Sequence, residues 1–491
     1  MDSLDGTSWD VLIAGTGIRQ SLLALALSRS GKQVLHIDRN DYYGGSEAAL
    51  SLQEAEAWTK KVNKDDWRSA FHNAKVIRPA EASDEPSSSK LGFPRAYSLS
   101  LAPDLLYTRS TLLPVLVSSR VHQQLEFQAV GSWFVFNLAE GSDEATRLVR
   151  VPNGREDIFA DKTLNLRAKG ALMKFLRFVG VYEEKPEIWQ PHEDTPFPQF
   201  LSEQFNLPAA SHGPLLALAL SPNPPDSTTT GFALPRIARH LRSIGLFGPG
   251  FGAVIPKWGG LSEVAQVACR SGAVGGAVYV LNKSIEKLVQ NEPNGSAEEQ
   301  AERKTLRVSL NEGEVVTTDY VIGSAEELPA EQPAFTLGRT PSTSTVVVRS
   351  ISVVSSPLGS LFPRLRKEDL TQLGLCSVCN CRTRGDVGFN LLTHAVTALL
   401  DGVGEQPAPK VLWSLRYEQR FGVPSSVATN AGPDRIMKFA EGDLDLSFDD
   451  SVVDQVKEAW RRIMGDAAVE AGEFMQFQDR QAEAGDEDEE E

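Results

Sequence analysis

The stretch WDVLIAGTGIRQSLLALALSRSGKQVLHIDRNDYYGG, residues 9–45, decides the fold of this chain. It opens with an apolar run at residues 11–14, typical of a central parallel strand that is covered on both faces. Apolar residues then recur at helical spacing from Ile18 onward, and Gly31 marks the end of that helix. A second apolar run at residues 34–38 completes a β-α-β unit. We therefore predict an α/β (α+β) fold with mixed sheets.

The turn between the first strand and the helix contains Gly15 and Gly17. Glycines at such a turn let a phosphate approach the amino end of the helix, where free N–H groups favour an anion. Asp38 ends the second strand, where an acid commonly binds a ribose hydroxyl. The third glycine of this dinucleotide motif is replaced by Gln20. We interpret Gly15, Gly17 and Asp38 as a retained scaffold and expect no cofactor, with a bound flavin as the alternative.

Composition and charge exclude several classes of protein. A net charge of −16 and a pI of about 5.1 argue against binding to nucleic acid and against a polybasic membrane anchor. The sequence has no apolar run long enough to span a bilayer, no signal peptide and no carboxy-terminal prenyl-acceptor cysteine. We therefore expect a cytoplasmic protein whose acidic end, residues 483–491, is a solvated tail.

The potential catalytic and metal-binding side chains form no convincing site. The seven histidines are scattered along the chain. Three of the four cysteines are Cys376, Cys379 and Cys381, but zinc needs four ligands and no second pair follows. Free buried thiols and no metal site are expected there, with metal or redox chemistry as the alternative.

The rest of the chain is divided into β-containing and helical parts. We expect residues 1–160 and 247–475 to form one discontinuous domain, residues 161–246 a smaller all-helical domain inserted in it, and residues 476–491 a disordered tail. An apolar helical region is predicted at residues 98–120. Other predicted elements are helices at 161–179, 259–273 and 452–464, a connector at 251–257, and strands at 133–136, 146–151, 277–281, 305–309, 314–317, 320–323, 346–354 and 410–417.

Residues 38–45, DRNDYYGG, together with the turn at residues 15–18, closely resemble the opening of the GDP-dissociation-inhibitor and Rab-escort superfamily. Further segments are similar to motifs of that superfamily, at residues 97–107, 124–127, 171–176, 257–263 and 269–276. Ser98 and Ser100 depart from its pattern, which has Asn and Asp there. The resemblance covers roughly residues 9–420.

The resemblance implies a flavoprotein-like fold that does not use flavin, and a carrier for GDP-bound Rab GTPases before and after prenylation. The β-containing domain would bind the GTPase through Arg39, Tyr43, Glu263 and Arg270. The helical domain would hold the geranylgeranyl lipid against Leu172, Met173, Phe175 and Leu176. Core packing or a solvated surface is the alternative role for each of these side chains.

Within the superfamily, we favour the escort role over the inhibitor role. The chain has extra polar segments at 81–90 and 290–304, its motifs match the inhibitors loosely, and residues 28–38 are closer to escort proteins. An escort protein has no catalytic site of its own. It contacts membranes transiently and docks the Rab geranylgeranyl transferase α/β heterodimer, here through a basic stripe with Phe232, Arg236, Arg239 and Arg242. A dissociation inhibitor and an FAD oxidoreductase are the alternatives.

Overall fold

A computed structural model describes most of the chain. The described residues are 3–64, 70–79, 91–131, 133–137, 147–151, 165–221, 223–248, 250–290, 306–329, 334–337, 345–361, 377–381, 385–421, 435–440, 446–470 and 473–477. The predicted acidic tail and most of the two polar segments lie outside these residues. So do the side chains of the clustered cysteines, although the backbone of the strand Ser377–Cys381 is described.

The strands, in chain order, are β1 Ser8–Ala14, β2 Val34–Asp38, β3 Ala49–Leu50, β4 Phe71–Ile77, β5 Leu99–Ser100, β6 Leu106–Tyr107, β7 Phe127–Val130, β8 Phe134–Asn137, β9 Arg147–Arg150, β10 Ala253–Pro256, β11 Val278–Leu281, β12 Ile285–Gln290, β13 Leu306–Leu310, β14 Val315–Gly323, β15 Phe335–Leu337, β16 Thr345–Val354, β17 Ser377–Cys381, β18 Val411–Phe421 and β19 Ile436–Phe439. The α-helices are α1 Ile18–Arg29, α2 Leu52–Val62, α3 Leu112–Ser118, α4 Leu166–Gly180, α5 Pro186–Trp189, α6 Phe197–Phe205, α7 His212–Leu218, α8 Thr230–Ser243, α9 Leu261–Val274, α10 Gly385–Val403, α11 Ser451–Met464 and α12 Ala467–Glu470.

The largest sheet is mixed and contains the β-α-β unit. Its strands run in the order β11-β2-β1-β14-β13-β12, and β19 pairs with both β14 and β15. β1 lies parallel to β2 and to β14, so it is central and apolar as the sequence predicted. With the exception of Arg19, helix α1 is buried from Ile18 to Ser28 between the sheet, α9 and α11. An apolar surface on all sides suits a helix that is covered all round.

Two smaller sheets flank this core. Strands β17-β16-β18-β4 form an antiparallel sheet, against which α2 and α10 pack, and β6-β10-β7 form another. Between β9 and β10, the described chain contains helices and short 3₁₀ turns but no strand. These helices, residues 166–243, which we call the helical segment, enclose their own apolar cluster.

The structure corrects several predicted elements. Residues 98–120 are not one helical region, since β5, β6 and α3 divide them. Pro114 lies in the first turn of α3, where its missing N–H costs nothing. The predicted connector contains β10, which pairs with β6 and β7. The two short strands predicted within 314–323 are one strand, because β1 pairs with its carboxy-terminal seven residues. Helices α2 and α10 were not predicted.

Candidate functional site

Asp38 holds the glycine turn together. Its Oδ2 accepts hydrogen bonds from the Thr16 backbone N–H at 2.8 Å and from Thr16 Oγ1 at 2.6 Å. Its Oδ1 accepts from the backbone and side-chain nitrogens of Asn40, at 2.7 and 2.9 Å. Burial raises the pKa of Asp38, and these hydrogen bonds oppose the rise. Because both carboxylate oxygens are engaged inside the chain, Asp38 is not available to a ribose.

Side chains fill the space beside the two turn glycines. A Cβ placed on Gly17 would lie 3.0 Å from Oε1 of Gln20 and 3.0 Å from Oε2 of Glu47. A Cβ on Gly15 would lie 3.1 Å from Nε2 of Gln20 and from Cγ of Glu327. The amino end of α1 therefore faces an amide and a carboxyl group where a dinucleotide would place its phosphates. These residues do not fit a dinucleotide cofactor.

The same turn supports the loop that carries Tyr43. Thr16 Oγ1 accepts a hydrogen bond from the Gly44 N–H at 2.9 Å while it donates to Asp38. Gly44 has a φ of +101°, and a Cβ there would lie 2.9 Å from the Cα of Ala48 and from Oγ of Ser262. Only glycine suits this position, on conformational and on steric grounds. The loop is thereby fixed against the amino end of α9.

Tyr43 itself is partly exposed at the end of this hydrogen-bonded support. Burial, followed by the nearby Cys269 thiol and Asp38 carboxylate, raises the pKa of Tyr43. Its hydroxyl therefore keeps its proton at neutral pH and can donate a hydrogen bond to a partner. A ring with a polar tip on a fixed loop is a side-chain type that protein interfaces favour.

Three motifs that are far apart in the sequence meet at this loop. Ser98 Oγ donates to the Trp258 carbonyl at 2.5 Å. A Cβ on Gly259 would touch Ala49 and Ser98, and one on Gly260 would touch Ser100. The two serines that depart from the superfamily pattern therefore lie against the backbone that leads into α9. The structure brings residues 38–50, 98–101 and 257–263 into one surface.

Glu263 and Arg270 lie two turns apart on α9. Oε2 of Glu263 accepts a hydrogen bond from the Trp258 N–H at 2.9 Å, so this carboxylate fixes the start of its own helix. Burial raises the pKa of Glu263. Arg270 is exposed. Together with Tyr43, these two side chains and Trp258 make up what we call the candidate surface.

Trp258 is the member of the candidate surface that sequence analysis missed. Its side chain is 46% exposed, and the Lys257 ammonium lies 4.4 Å from the centre of its ring. A large aromatic residue exposed beside a Gly-Gly pair was the available signal. Such residues often carry much of the binding energy of an interface.

Arg39 is held by the chain rather than free. Its guanidinium lies 3.4 Å from a carboxylate oxygen of Glu326 and 3.5 Å from one of Glu327. A partner that binds Arg39 must compete with these two carboxylates. Arg39 therefore lies next to the loop that carries Tyr43, but its charge is paired with carboxylates of the same chain.

The four predicted lipid-contacting residues divide into two pairs on α4. Leu172 and Phe175 are buried, and the Phe175 ring packs against the rings of Phe197 and Phe205. Met173 and Leu176 are partly exposed at the edge of the helical segment. Only this second pair offers an apolar surface without repacking of the core.

The predicted basic stripe on α8 is not continuous, because each arginine turns to a different partner. The Arg236 guanidinium stacks 3.6 Å over the ring of Phe232. Arg239 pairs with Asp450 at 2.9 Å and donates to the Phe448 carbonyl at 3.0 Å. Arg242 pairs with Glu183 at 2.6 Å. The role of these four residues in binding a transferase stays a prediction.

The family model described as GDP dissociation inhibitor matches residues 4–361, which is more than half of the chain. The chain belongs to this family. Among the described residues, no group of three or more His, Cys, Asp or Glu side chains is placed to hold a metal ion, and no helix is both long and apolar enough to cross a bilayer.

Three curated relatives illustrate the similarity. "Rab proteins geranylgeranyltransferase component A" of Saccharomyces cerevisiae is 39% identical over 289 residues, covering 58% of this chain and 44% of the relative. The Candida albicans protein of the same name is 36% identical over 277 residues, covering 56% and 41%. A "probable secretory pathway GDP dissociation inhibitor 1" of Schizosaccharomyces pombe is 25% identical over 399 residues, covering 77% and 78%. The chain thus spans about two fifths of the length of the first two relatives.

Solved structures confirm the fold class. A Rab GDI from Plasmodium falciparum matches with a TM-score of 0.62 at 18% identity, covering 94% of this chain and 99% of that one. A putrescine oxidase matches with a TM-score of 0.53 at 14% identity, covering 94% and 99%. These likenesses show the fold alone. The family and the flavoprotein-like α/β class predicted from the sequence are therefore confirmed, and the roles of the individual site residues stay predictions.

Proposed function

We propose that this protein is a Rab escort protein. It binds newly made, GDP-bound Rab GTPases, presents them to Rab geranylgeranyl transferase, and carries the prenylated product to membranes. It acts as an accessory subunit in the cytosol, without a catalytic site of its own. The observation that carries the proposal is the similarity, at 36–39% identity, to two proteins named component A of the geranylgeranyltransferase.

The candidate surface supports the Rab-binding part of this proposal. Its loop is fixed by two hydrogen bonds, one that Thr16 donates to Asp38 and one that the Gly44 N–H donates to Thr16. A surface that keeps its shape before binding loses little conformational entropy when a partner docks. It also offers an aromatic hydroxyl, a carboxylate and an exposed guanidinium, which suit a polar partner.

The helical segment supports the lipid-binding part. A C20 isoprenoid in water is unfavourable by roughly 25 cal/mol for each Å² of apolar surface. Met173 and Leu176 offer a first apolar contact, and the aromatic cluster behind them, with Phe175 at its centre, can widen by side-chain movement. We propose residues 161–246 as the lipid-binding domain and residues 1–160 with 247–475 as the GTPase-binding domain.

The transferase contact is best assigned to the stacked pair Phe232 and Arg236. Both side chains are partly exposed, and the Arg236 guanidinium lies 3.6 Å over the Phe232 ring, whereas Arg239 and Arg242 pair with acidic side chains. We therefore propose that the transferase α/β heterodimer meets α8 at its amino-terminal half.

Reconstituted Rab geranylgeranylation tests the proposal. Purified transferase, unprenylated GDP-bound Rab and radiolabelled geranylgeranyl diphosphate are mixed with and without this protein. We expect it to stimulate prenylation. Tyr43→Ala should reduce that stimulation at least tenfold, since loss of an interface anchor costs ~2 kcal/mol. Arg307→Gln, an exposed change on β13, is the control, and Tyr43→Phe measures the part of the effect that depends on the hydroxyl. A stimulation factor of one for the wild-type protein would refute the escort role.

A dissociation inhibitor is the second candidate. The family model carries that description, and the S. pombe inhibitor aligns over a longer part of this chain than the two component A proteins do. An inhibitor removes prenylated, GDP-bound Rab from vesicles but does not stimulate prenylation. Vesicle extraction measured on the same preparation therefore separates the two functions.

A further inference from the structure

A pocket of about 1020 Å³ lies on the antiparallel sheet β17-β16-β18-β4. Its walls are the end of α2, the outer strand β4, the strand β18 and the amino end of α10. None of these elements carries a residue of the candidate surface. Nothing in the proposed escort function uses this pocket.

Two cationic residues lie opposite each other on neighbouring strands of this sheet. Lys75 of β4 and Arg416 of β18 are direct partners in the strand register, so their side chains leave neighbouring points on the same face. Arg420 lines the same pocket. Like charges directly opposite one another on a sheet destabilise it, so this pair calls for a compensating negative charge.

The described chain does not supply that charge. None of Lys75, Arg416 and Arg420 makes an ion pair within the described residues, and Nε of Arg416 is buried without a hydrogen-bond partner. Burial lowers the pKa of Arg416, with no carboxylate to oppose the effect. A half-buried guanidinium without a partner is costly, because its hydration is lost and not replaced.

The nearby acids do not neutralise the pocket. Glu418 accepts hydrogen bonds from the Gly385 N–H at 3.0 Å and from Nδ2 of Asn73 at 2.9 Å, so both of its oxygens are occupied. Asp386 is the acidic residue among the lining side chains that the structure describes, and His72 also lines the pocket. The amino end of the 19-residue helix α10 adds partial positive charge. Among the described lining residues, positive charge is therefore in excess.

We propose that this pocket binds a phosphate group, with Lys75 and Arg416 as its principal ligands and Arg420 as a third cation. A guanidinium can donate two parallel hydrogen bonds to phosphate, and an ammonium adds a point charge. A dianion between the two facing cations replaces their repulsion by attraction. The phosphate belongs either to a soluble phosphate compound or to a phospholipid headgroup, and the experiment distinguishes these sources.

Inorganic phosphate is the first probe, applied to the full chain by isothermal titration and by thermal unfolding against chloride at equal ionic strength. We expect phosphate, but not chloride, to raise the unfolding temperature. Lys75→Gln should weaken phosphate binding at least tenfold without lowering the unfolding temperature of the ligand-free protein, because it also removes the repulsion. Arg416→Gln should weaken binding similarly, and Arg307→Gln should leave binding unchanged.

Phosphatidylcholine vesicles with and without phosphatidic acid are the second probe, read by sedimentation. Binding to the phosphatidic acid vesicles that is lost in Lys75→Gln assigns the pocket to a lipid headgroup. Binding of inorganic phosphate alone assigns it to a soluble compound. An equal effect of chloride and phosphate, or full phosphate binding by Lys75→Gln, overturns the proposal. None of these measurements involves a Rab GTPase, so they leave the escort proposal untouched.

Discussion

The candidate surface and the helical segment hold their functional side chains by opposite means. Tyr43 is positioned by directional hydrogen bonds, in which Asp38 accepts from Thr16 and Thr16 accepts from Gly44. Phe175 is positioned by aromatic packing against Phe197 and Phe205. Directional bonds permit one geometry, whereas apolar contacts are non-directional and can be exchanged.

Each region therefore suits a different kind of ligand. A folded GTPase presents a fixed surface, and a pre-formed loop matches it at low entropic cost. A flexible lipid tail has no fixed shape, and a cluster of rings can accept it by rearrangement. Substitutions in the two regions should therefore differ in their effect on stability.

Phe175→Ala should destabilise the helical segment most. Deleting a fully buried phenylalanine costs about 3–5 kcal/mol, because transfer energy is lost and a cavity remains. Met173→Ala, at the partly exposed edge of the same helix, should cost about 1 kcal/mol and is the matched control. Urea unfolding measures both. Equal losses for the two variants would contradict the assignment of Phe175 to the core.

Two buried histidines give a pH comparison, namely His36 on β2, beside the glycine turn, and His240 in the helical segment. Burial lowers the pKa of His36 and of His240 from 6.5 to about 4. Between pH 6.5 and 4 the unfolded chain binds a proton that the folded chain does not, so stability present above pH 6.5 is lost as the pH falls.

His240→Phe should remove the loss of stability that His240 causes as the pH falls. Its Nδ1 has no hydrogen-bond partner and its ring packs edge-on to Tyr107 and Trp133, so the change should cost little at pH 7.5. Relative to wild type, the variant should gain up to about 3 kcal/mol by pH 4. His36→Phe also loses the 2.5 Å contact with the Gly15 carbonyl and should be less stable at every pH. Denaturant titrations at several pH values test this, and parallel curves for wild type and His240→Phe would exclude it.

Gly44→Ala should loosen the Tyr43 loop. The Cβ would meet the Ala48 backbone and the Ser262 hydroxyl at 2.9 Å, in a backbone conformation with φ of +101°. We expect a loss of about 2 kcal/mol. Gly31→Ala is the control, because its φ is also positive, at +79°, but its Cβ would meet nothing within 4 Å. It should cost about 1 kcal/mol. Thermal unfolding gives the stability of each variant, and hydrogen exchange of the Thr16 N–H reports how often the turn that supports the Tyr43 loop opens. A smaller loss for Gly44→Ala than for Gly31→Ala would argue against close packing.

Arg239→Gln should have a small effect, although its ion pair joins the helical segment to another part of the chain. The ion pair with Asp450 joins α8 to the residue before α11, and both side chains remain partly exposed. Such pairs contribute about 1 kcal/mol or less. Arg242→Gln breaks a more exposed pair with Glu183 and should cost less still. Urea unfolding in low and high salt ranks the two variants. A larger loss of stability for Arg242→Gln than for Arg239→Gln would contradict this order.

Local sequence signals predicted the elements that are apolar and continuous. The strand at residues 34–38 has the predicted bounds. The helix that begins at Ile18 and the helix predicted at 452–464 are also present, and the described residues between 166 and 243 contain no strand. The prediction failed at 98–120 and 251–257, where short strands owe their existence to partners distant in sequence. β10, for example, is a strand because β6 and β7 flank it.

The candidate surface shows the same division. The sequence alone determined the β-α-β opening, the loss of a glycine at Gln20 and the family, because these depend on residues close together in the chain. Only the tertiary structure decided that Glu47 and Gln20 fill the space beside the turn, that Trp258 lies against Ser98, and that Arg239 and Arg242 are engaged within the chain. Lys75 and Arg416 meet for the same reason, since strand pairing brings together residues 341 positions apart. Periodicity and turn chemistry are local, whereas ion pairs, burial and strand register depend on which distant segments come into contact.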